Sequence, residues 1–358
     1  MRLHIGHHFY GAGNVGDDLM LAGFLAGVAQ SGLEVKLTCS VPFELAPLKL
    51  RYPQVEWLHY TREIRQAAIR DCDAWIGVGD TPFQVSVGSW FYDHLIGEIA
   101  TCQQHGRRMY YVGIGVDDET ALRAPAARTI IAAATHIWTR DDWSAQLLGN
   151  VYDRQTLTAG ADLAHAYLAD VKWPAPETGV LGLVLNFEDA KQFQPAAIAQ
   201  LIDCARSKQT VRWLVQEVRD LEGSERQLLS MIDAASRPTD IRLPDYENAP
   251  TAAALVQSWG VPEAVVTSRY HGGVIAAWAG ARPVLIERAG KVAALANQLR
   301  TARVPDFTDA ARILSALPTA VPVPRQRLTA LAATARANVA DLITRVADDL
   351  SARCASLQ

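Results

Sequence analysis

Residues 3–30 read LHIGHHFYGAGNVGDDLMLAGFLAGVAQ, and the fold class is predicted from this segment. The apolar run at its start predicts a buried β-strand, and Leu19, Phe24 and Val28 recur near the spacing of one helix face. A glycine-rich turn joins the strand to the helix. Strand, turn and helix in this order form the repeating unit of α/β proteins with parallel sheets.

The same alternation of short apolar runs and longer helical patterns continues along the chain, which is typical of βαβ units. The further predicted strands are EVKLTC, VEWLHY, AWIGV, MYYVGIGV and THIWTR in the first half and GVLGLVLN, VRWLVQE, AVVTS and RPVLI in the second. Between the halves, residues 172–179 (KWPAPETG) carry two prolines that favour an extended connector. We therefore predict one α/β domain over residues 1–172 and a second over residues 178–324.

Residues 325–358 follow a different pattern, with apolar residues stepping by three and four between charges. These residues are Leu328, Leu331, Ala335, Val339, Leu342, Val346 and Leu350. They predict one long amphipathic helix. Packing of this helix against the protein's own body is the favoured interpretation, and a dimer helix in a homo-oligomer is the alternative.

Composition excludes several classes of function. With 358 residues, 49% hydrophobic residues and 20% charged residues, the chain is long and apolar enough for two globular cores. A net charge of −4 offers no basic excess for nucleic acid. Five cysteines without a CxxC spacing argue against a disulfide framework or a zinc site. We see neither a signal peptide nor a spanning segment and expect a cytoplasmic protein, with peripheral contact at the inner face of the membrane left open.

The first candidate site is the glycine turn of the opening stretch, in which Gly11, Gly13 and Gly16 match G-x-G-x-x-G. We expect Asp17 or Asp18 to cap the helix that follows. Two acidic residues at a helix start disfavour a pyrophosphate, so a dinucleotide site is the weaker interpretation. A substrate-binding loop and a plain glycine turn with an aspartate cap both remain open.

Two more candidate sites follow strands in the first half. Gly79 and Asp80 come after AWIGV, at the carboxyl end where open α/β sheets bind ligands. Arg140 ends THIWTR at the same predicted edge. It either points towards a ligand or pairs on the surface with the adjacent Asp141 or Asp142, which would stabilise little.

The fourth candidate site lies in VVTSRYHGGVIAAWAGARPVLI, residues 265–286. Arg269 carries a fork of donors that fits carboxylate or phosphate, and His271 can exchange a proton near neutral pH. A helix starting near His271 would offer free N–H groups to an anion, with Gly272 and Gly273 allowing close approach. The alternative is a turn that happens to be polar. The anion interpretation requires that no protein carboxylate already neutralises Arg269.

Taken in order, these stretches resemble the polysaccharide pyruvyl transferase family. The motifs that carry the resemblance are GNVGDD, GVGDTPFQ, TRDDWSAQLL and SRYHGGVIAAWAGARPVLI, and they cover about residues 5–300. The ordered set is far more specific than any one motif, and the S-R-x-H block contributes most.

The resemblance implies two Rossmann-like domains facing across a cleft, as in GT-B glycosyltransferases, with the C-terminal helix returning to the first domain. It implies phosphoenolpyruvate as donor and a pair of saccharide hydroxyls as acceptor. The product is a pyruvate ketal on a cell-surface polysaccharide or its lipid-linked precursor. Neither a cofactor nor a metal is implied.

The resemblance also implies roles for particular residues. Arg269, His271, Gly272 and Arg140 would bind phosphoenolpyruvate. The chemistry of the residues, independently of the resemblance, makes His271 the candidate acid and Asp17 the candidate base that takes the hydroxyl proton. The residues on the acceptor side would be Asn14, Gly16, Asp17, Gly79 and Asp80.

Two alternatives remain open at this stage. A GT-B glycosyltransferase that uses a nucleotide sugar would have a similar fold, and Glu287 at the end of PVLIE is its candidate nucleotide-binding acid. The second alternative is a family member without catalytic activity that binds an anionic glycan.

Overall fold

The computed structural model describes residues 1–84, 90–151, 156–187, 194–308 and 310–356. The chain forms two compact units. Unit 1 comprises Met1–Gly11, Asp17–Tyr167 and Leu331–Gln358. Unit 2 comprises Ala12–Gly16 and Leu168–Ala330.

Unit 1 is built on a parallel sheet that has seven strands within the described residues. The strands are β1 (Arg2–Ile5), β2 (Lys36–Val41), β3 (Val55–His59), β4 (Ala74–Val78), β5 (Arg108–Ile114), β6 (Ala134–Thr139) and β7 (Leu157–Thr158). Their order across the sheet is β3-β2-β1-β4-β5-β6-β7, so the winding reverses between β1 and β4. Such a reversal opens a crevice at the carboxyl ends of the two strands.

Helices connect the strands of unit 1. They are α1 (Val15–Gln30), α2 (Leu45–Arg51), α3 (Arg62–Asp71), α4 (Trp90–Gln104), α5 (Glu119–Arg123), α6 (Pro125–Ala133), α7 (Asp142–Gly149) and α8 (Ala164–Leu168). Strand β4 is buried along its whole length, as expected for a central strand covered on both faces. The close approach of α1 to the rest of the unit requires glycine at Gly23, because a Cβ there would overlap the carbonyl of Leu163.

Unit 2 repeats the design with a parallel sheet that has six strands in the part of the chain described. The strands are β8 (Glu177–Val184), β9 (Thr210–Leu214), β10 (Asp240–Arg242), β11 (Pro262–Thr267), β12 (Arg282–Ile286) and β13 (Ala302–Val304). Their order is β10-β9-β8-β11-β12-β13, and the winding reverses between β8 and β11.

The helices of unit 2 cover the faces of its sheet. They are α9 (Pro195–Arg206), α10 (Glu225–Met231), α11 (Ala252–Gln257), α12 (Tyr270–Ala279), α13 (Gly290–Leu299) and α14 (Ala310–Ala316), followed by a short 3-10 helix, Leu317–Thr319. One face packs into an apolar core in which Trp213 is fully buried against residues such as Leu201 and Phe307. Burying these large side chains is the main favourable contribution to the stability of the unit.

The last helix, α15, runs from Arg325 to Ser356. Its apolar face is buried, and a Cβ on Gly27 of α1 would meet Val339 at 2.7 Å. The indole N–H of Trp138 donates to Asp341 Oδ2 at 3.0 Å. These contacts place residues 331–356 against unit 1 as part of its fold. Among the described residues, the structure contains no helix with both the length and the apolar composition to span a membrane.

The prediction of two Rossmann-like α/β units and a long C-terminal helix is confirmed. Every predicted strand is present, and all pair in parallel. The sequence patterns missed β7, β10 and β13, because two or three residues are too few to show a period. They also gave no sign that residues 12–16 associate with unit 2.

Candidate active site

The candidate site in unit 2 begins where β8 and β11 end, at the reversal of winding. Asn186 follows β8, and Ser268 follows β11. The backbone N–H of Asn186 donates to Ser268 Oγ at 2.9 Å, and the Ser268 hydroxyl lies 2.9 Å from both Asn186 O and Oδ1. These bonds tie the two strand ends together, so the loop that carries Arg269 and His271 starts from a fixed point.

Arg269 is paired with a buried carboxylate, contrary to the requirement drawn from the sequence. Its Nε donates to Glu225 Oε1 at 2.8 Å and its Nη2 to Oε2 at 2.9 Å. Glu225 is fully buried and also accepts the backbone N–H of Glu217 at 3.3 Å. The expectation of an uncompensated guanidinium was therefore wrong. The pair carries no net charge, and Glu225 holds Arg269 in one orientation.

The anion site drawn from Arg269 therefore fails as stated, and the amino end of helix α12 is the anion-binding feature that remains. The helix spans ten residues from Tyr270 and has no side-chain cap at its amino end. The N–H of Arg269, at the N-cap position, instead donates to Thr267 Oγ1 at 3.0 Å. The first N–H groups and the positive end of the helix dipole lie at the carboxyl edge of the sheet, which favours a bound anion.

Gly272 does not provide the space for a ligand that the sequence suggested. A Cβ on Gly272 would lie 2.5 Å from Thr267 Oγ1 and 3.1 Å from a methyl group of Val184. A Cβ on Gly273 would meet Leu285 at 2.7 Å. Both glycines let α12 pack closely on the sheet. The expectation that their missing side chains admit a ligand is corrected, since those positions face strand residues.

His271 lies in the first turn of α12 and is 6% exposed. A Cβ on Gly16 would overlap the His271 ring, so the backbone at the start of α1 rests directly against the imidazole. Only glycine permits this approach. Gly16 was expected on the acceptor side of the first domain, but it belongs to unit 2 together with His271.

Asn14 holds the 12–16 loop in place. Its Oδ1 accepts the backbone N–H of Gly16 at 3.0 Å and an amide N–H of Gln216 at 3.2 Å. Asn14 thus caps α1, the role that the sequence assigned to Asp17 or Asp18. Asp18 is instead fully buried and accepts the Tyr52 hydroxyl at 2.8 Å. Asn14, like Gly16, lies in unit 2, and the acceptor role of both residues stays a prediction.

Two basic residues that the sequence analysis did not assign to the site follow β12. Arg288 donates through Nε to Ser268 O at 3.3 Å, which places it at the same edge as Arg269. Lys291 is in the first turn of α13 and is largely buried. The rule that neighbouring parallel strands end at one edge was the signal that could have found both residues.

In unit 1, Gly79 and Asp80 follow β4 at the reversal of winding. Both have positive φ, 65° for Gly79 and 72° for Asp80. Positive φ is unusual for a non-glycine residue and is found disproportionately at functional sites. The backbone of Asp80 is fixed on both sides, since its N–H donates to Met20 Sδ at 3.2 Å and its carbonyl accepts the Gly115 N–H at 2.8 Å. The acceptor role of Gly79 and Asp80 stays a prediction.

Arg140 also lies at the carboxyl edge of the unit 1 sheet, directly after β6. It is 2% exposed, and a Cβ on Gly115 would overlap its guanidinium, so the group lies flat against that glycine. Its Nε is 3.4 Å from Oδ2 of Asp141, which in turn caps α7 through the Ser144 N–H at 2.6 Å. The alternative of a surface ion pair is wrong because both side chains are buried. Asp17, the predicted base, is 7% exposed at the start of α1 in unit 1.

Sequence comparison decides the family. The family described as polysaccharide pyruvyl transferase matches residues 14–289, more than three quarters of the chain. The chain belongs to this family of enzymes. The match runs from Asn14, at the cap of α1, to Ala289, just before α13, and so contains the edge at which Arg269 and His271 lie. Comparison with curated proteins gives no sequence match.

Solved structures share the fold of this polysaccharide pyruvyl transferase family member. HepE from Anabaena, crystallised with UDP-glucose, has a TM-score of 0.61 at 12% identity, with 98% of this chain and 100% of HepE covered. The UDP-GlcNAc 2-epimerase of Neisseria meningitidis has a TM-score of 0.57 at 9% identity, with 98% and 100% covered. The epimerase of Methanocaldococcus jannaschii has a TM-score of 0.55 at 9% identity, with 91% and 94% covered. This likeness confirms the GT-B-like fold class.

The structure also places the residues relevant to a cofactor. In the described part of the chain, no three His, Cys, Asp or Glu side chains are grouped to hold a metal ion. Glu287, the acid that a nucleotide-sugar enzyme would use here, lies 2.8 Å from Arg303 in an ion pair.

Proposed function

We propose that this enzyme transfers the enolpyruvyl group of phosphoenolpyruvate to a pair of saccharide hydroxyls and forms a pyruvate ketal. The observation that carries the proposal is the S-R-x-H block of a polysaccharide pyruvyl transferase located at the reversal of winding in unit 2. The acceptor would be a cell-surface polysaccharide or its lipid-linked precursor, modified in the cytoplasm or at the inner face of the membrane. Phosphoenolpyruvate acts as co-substrate, with no resident cofactor or metal.

The donor carries a carboxylate and a phosphate, and its site must supply positive potential. We assign this role to the amino end of α12, with Arg288 at the same edge. Arg269 contributes differently from the original prediction. Its Nε and Nη2 are engaged by Glu225, so only Nη1 lies outside the pair, and the main effect of Arg269 is to fix the loop before His271.

The reaction needs a proton on the methylene carbon of the enol, and His271 is the group proposed to give it. Protonation converts the methylene to a methyl group and leaves positive charge on the central carbon. One sugar hydroxyl attacks that carbon and loses its proton to a base, for which Asp17 is the candidate. Phosphate then leaves, and the second hydroxyl closes the ketal ring with loss of its proton.

The test is an assay for phosphate release from phosphoenolpyruvate in the presence of a panel of hexosides and oligosaccharides, with the ketal methyl group followed by NMR. His271→Ala should lower the rate by about 10²- to 10⁴-fold, the usual contribution of a general acid. His59→Ala, at an exposed histidine of unit 1, is the control and should retain full activity. Full activity in His271→Ala would show that His271 is not the acid. Absence of phosphoenolpyruvate-dependent turnover with every acceptor would refute the proposed reaction.

A nucleotide-sugar glycosyltransferase is the second candidate, because the fold is shared with HepE crystallised with UDP-glucose. The ion pair of Glu287 with Arg303 argues against it. A thermal-shift screen should show stabilisation by phosphoenolpyruvate and none by nucleotide sugars. Stabilisation by phosphoenolpyruvate without turnover on any acceptor would instead favour the glycan-binding alternative.

A further inference from the structure

A group of aromatic and polar side chains in unit 1 has no part in the mechanism above. We call it the His8 corner, and it consists of His8, Tyr60, Arg65, Trp90 and His94. His8 follows β1, Tyr60 follows β3, and α4 begins at Trp90 in the connection after β4. The corner therefore lies at the carboxyl edge near the reversal between β1 and β4, where sheets of this kind bind ligands.

The aromatic rings of the corner form a supported platform that is partly open to solvent. Trp90 is 48% exposed, although its ring centroid lies 5.2 Å from that of Phe91. The His8 ring lies 5.9 Å from the Trp90 ring at an angle of 75°, and 4.9 Å from the Tyr60 ring. Packing against neighbours lowers the entropic cost of using Trp90 as a binding surface.

A chain of hydrogen bonds fixes the tautomer of His94. Arg65 Nη1 lies 3.2 Å from His94 Nδ1 and also donates to the Tyr60 hydroxyl at 2.9 Å. A guanidinium only donates, so His94 Nδ1 accepts, and the proton of the neutral ring is on Nε2. Burial lowers the pKa of His94 to about 2, so the ring is neutral at physiological pH.

The tautomer of His94 in turn fixes that of His8. His94 Nε2 lies 3.0 Å from Gly6 O and 3.2 Å from His8 Nδ1. Two N–H groups cannot face each other at this distance, so His8 Nδ1 accepts and His8 carries its proton on Nε2. Burial also lowers the pKa of His8, to about 4. Within the described ranges, no residue hydrogen-bonds His8 Nε2, so the corner presents a neutral N–H donor beside an indole ring.

We propose that the His8 corner binds a pyranose ring of the saccharide acceptor. The C–H face of the sugar would stack on Trp90, and a hydroxyl would accept the N–H of His8 Nε2. This combination suits a neutral sugar, because indole supplies apolar area and imidazole a single uncharged donor. An anion is disfavoured, since Glu98 pairs with Arg65 at 2.9 Å and compensates the one cation of the corner. The proposal rests on the proposed pyruvyl transfer for the identity of the sugar as acceptor.

Direct binding tests the corner without any need for turnover. Methyl glucoside, methyl galactoside and methyl mannoside are added to the full-length protein, and saturation-transfer NMR measures their affinities. Trp90→Ala should weaken binding at least about 10-fold, the effect of losing an aromatic anchor. Trp143→Ala, which removes another partly exposed tryptophan of unit 1, is the matched control and should bind as the parent does. Absence of binding to all three sugars, or equal loss in both variants, would overturn the proposal.

Kinetics then separates this proposal from the proposed function. In an active enzyme, Trp90→Ala and His8→Phe should raise the acceptor KM about 10-fold and leave the phosphoenolpyruvate KM unchanged. His8→Gln, which keeps an N–H near the Nε2 position, should recover much of the loss. An enzyme without phosphoenolpyruvate turnover that still binds sugar through Trp90 would refute the reaction and retain the corner. Unchanged acceptor KM in an active Trp90→Ala enzyme would refute the corner and retain the reaction.

Discussion

The two units share a doubly wound parallel sheet, yet they use histidine in different ways. Eight of the nine histidines belong to unit 1, and His271 is in unit 2. In unit 1, apart from His8 with its proposed sugar-binding role, the buried imidazoles form hydrogen bonds with backbone or hydroxyl groups of the interior. His4 lies 3.0 Å from Thr38 Oγ1, and His7 Nδ1 donates to Val78 O at 3.2 Å. The histidine of unit 2 stands at the ligand edge.

Buried arginines in unit 2 are paired with carboxylates, as buried Arg140 of unit 1 is with Asp141. Glu225 compensates Arg269, and Arg212 bonds to both Glu177 and Asp240 at 2.7 Å. The comparison teaches that a buried histidine is weak evidence of function where neutral imidazoles serve as ordinary structural groups. In unit 2 the same residue type is informative because the fold does not otherwise use it.

The largest expected effect is acid destabilisation confined to unit 1. Burial lowers the pKa of five of its histidines: His4 to about 4, His7 to about 3, His8 to about 4, His94 to about 2 and His136 to about 4. The unfolded chain takes up these protons near pH 6.5 and the folded unit only at lower pH. The free energy of unfolding is therefore unaffected by these histidines above pH 6.5. Below pH 6.5 each histidine lowers it by on the order of 1 kcal/mol per pH unit. Hydrogen exchange at pH 7.5 and 5.0, corrected for intrinsic rates, should show loss of protection in unit 1 before unit 2.

Glu98 should affect the stability of unit 1 with the opposite pH dependence, so a variant at Glu98 is a control for that experiment. Burial raises its pKa to about 7, while Arg65 and a hydrogen bond from Trp75 oppose the rise. The folded unit thus binds this proton more tightly than the unfolded chain does. The contribution of Glu98 to the free energy of unfolding of unit 1 therefore increases as pH falls from 7 towards 4.5. Removing it in Glu98→Gln should steepen the acid dependence of unit 1. Parallel loss of protection in both units would contradict the comparison.

The next effect concerns the ion pair of unit 2. Arg269→Ala leaves the carboxylate of Glu225 buried without its partner, and we expect the free energy of unfolding to fall by about 3–5 kcal/mol. The double variant Arg269→Gln with Glu225→Gln keeps polar groups of similar size without charge and should lose much less. Urea denaturation measures both.

The same double variant tests whether the charge of Arg269 contributes to binding of phosphoenolpyruvate. Because the pair has no net charge, its removal should change phosphoenolpyruvate affinity less than about tenfold, the effect of about 1.4 kcal/mol. Titration calorimetry provides the value. Complete loss of donor binding in the double variant, with the fold intact, would show that Arg269 itself holds the anion.

Two glycines that each face a histidine give a further pair of predictions. A Cβ on Gly16 would overlap His271, and a Cβ on Gly77 would lie 3.0 Å from His7 Nε2 and 2.5 Å from Tyr111. Gly16→Ala should displace the imidazole and lower the turnover rate about 100-fold, with a stability cost of about 1–3 kcal/mol. Gly77→Ala should cost about 1–3 kcal/mol of stability and leave kcat unchanged. The reverse result, with activity lost only in Gly77→Ala, would place the functional histidine in unit 1.

Local pattern was sufficient for most of the fold. β4 (AWIGV) is recognisable because a central parallel strand is apolar on both faces, and α15 because its apolar residues recur with the helical period. The order of strands in each sheet, and the reversal between β8 and β11, required the structure. Short strands such as β13 form through pairing with a neighbour and have little pattern of their own.

The site was predicted less completely. His271 was predicted from the S-R-x-H motif that contains it. Arg288 and Lys291 were not assigned to the site. Gly272 was misinterpreted because the sequence does not show which side of a glycine meets the sheet. The tautomer of His8 is set by its contact with His94, whose own tautomer is set by Arg65. All three residues are far apart in the sequence.

Sequence was sufficient to identify a two-unit α/β enzyme of the polysaccharide pyruvyl transferase family, because strand and helix periods and ordered motifs are local properties. Which charges are already compensated became visible in the folded molecule alone. Glu225 and Arg269 are 44 residues apart and meet only after the sheet has formed. Electrostatic interactions act through space and not along the chain, so the charge state of the site is a property of the folded molecule.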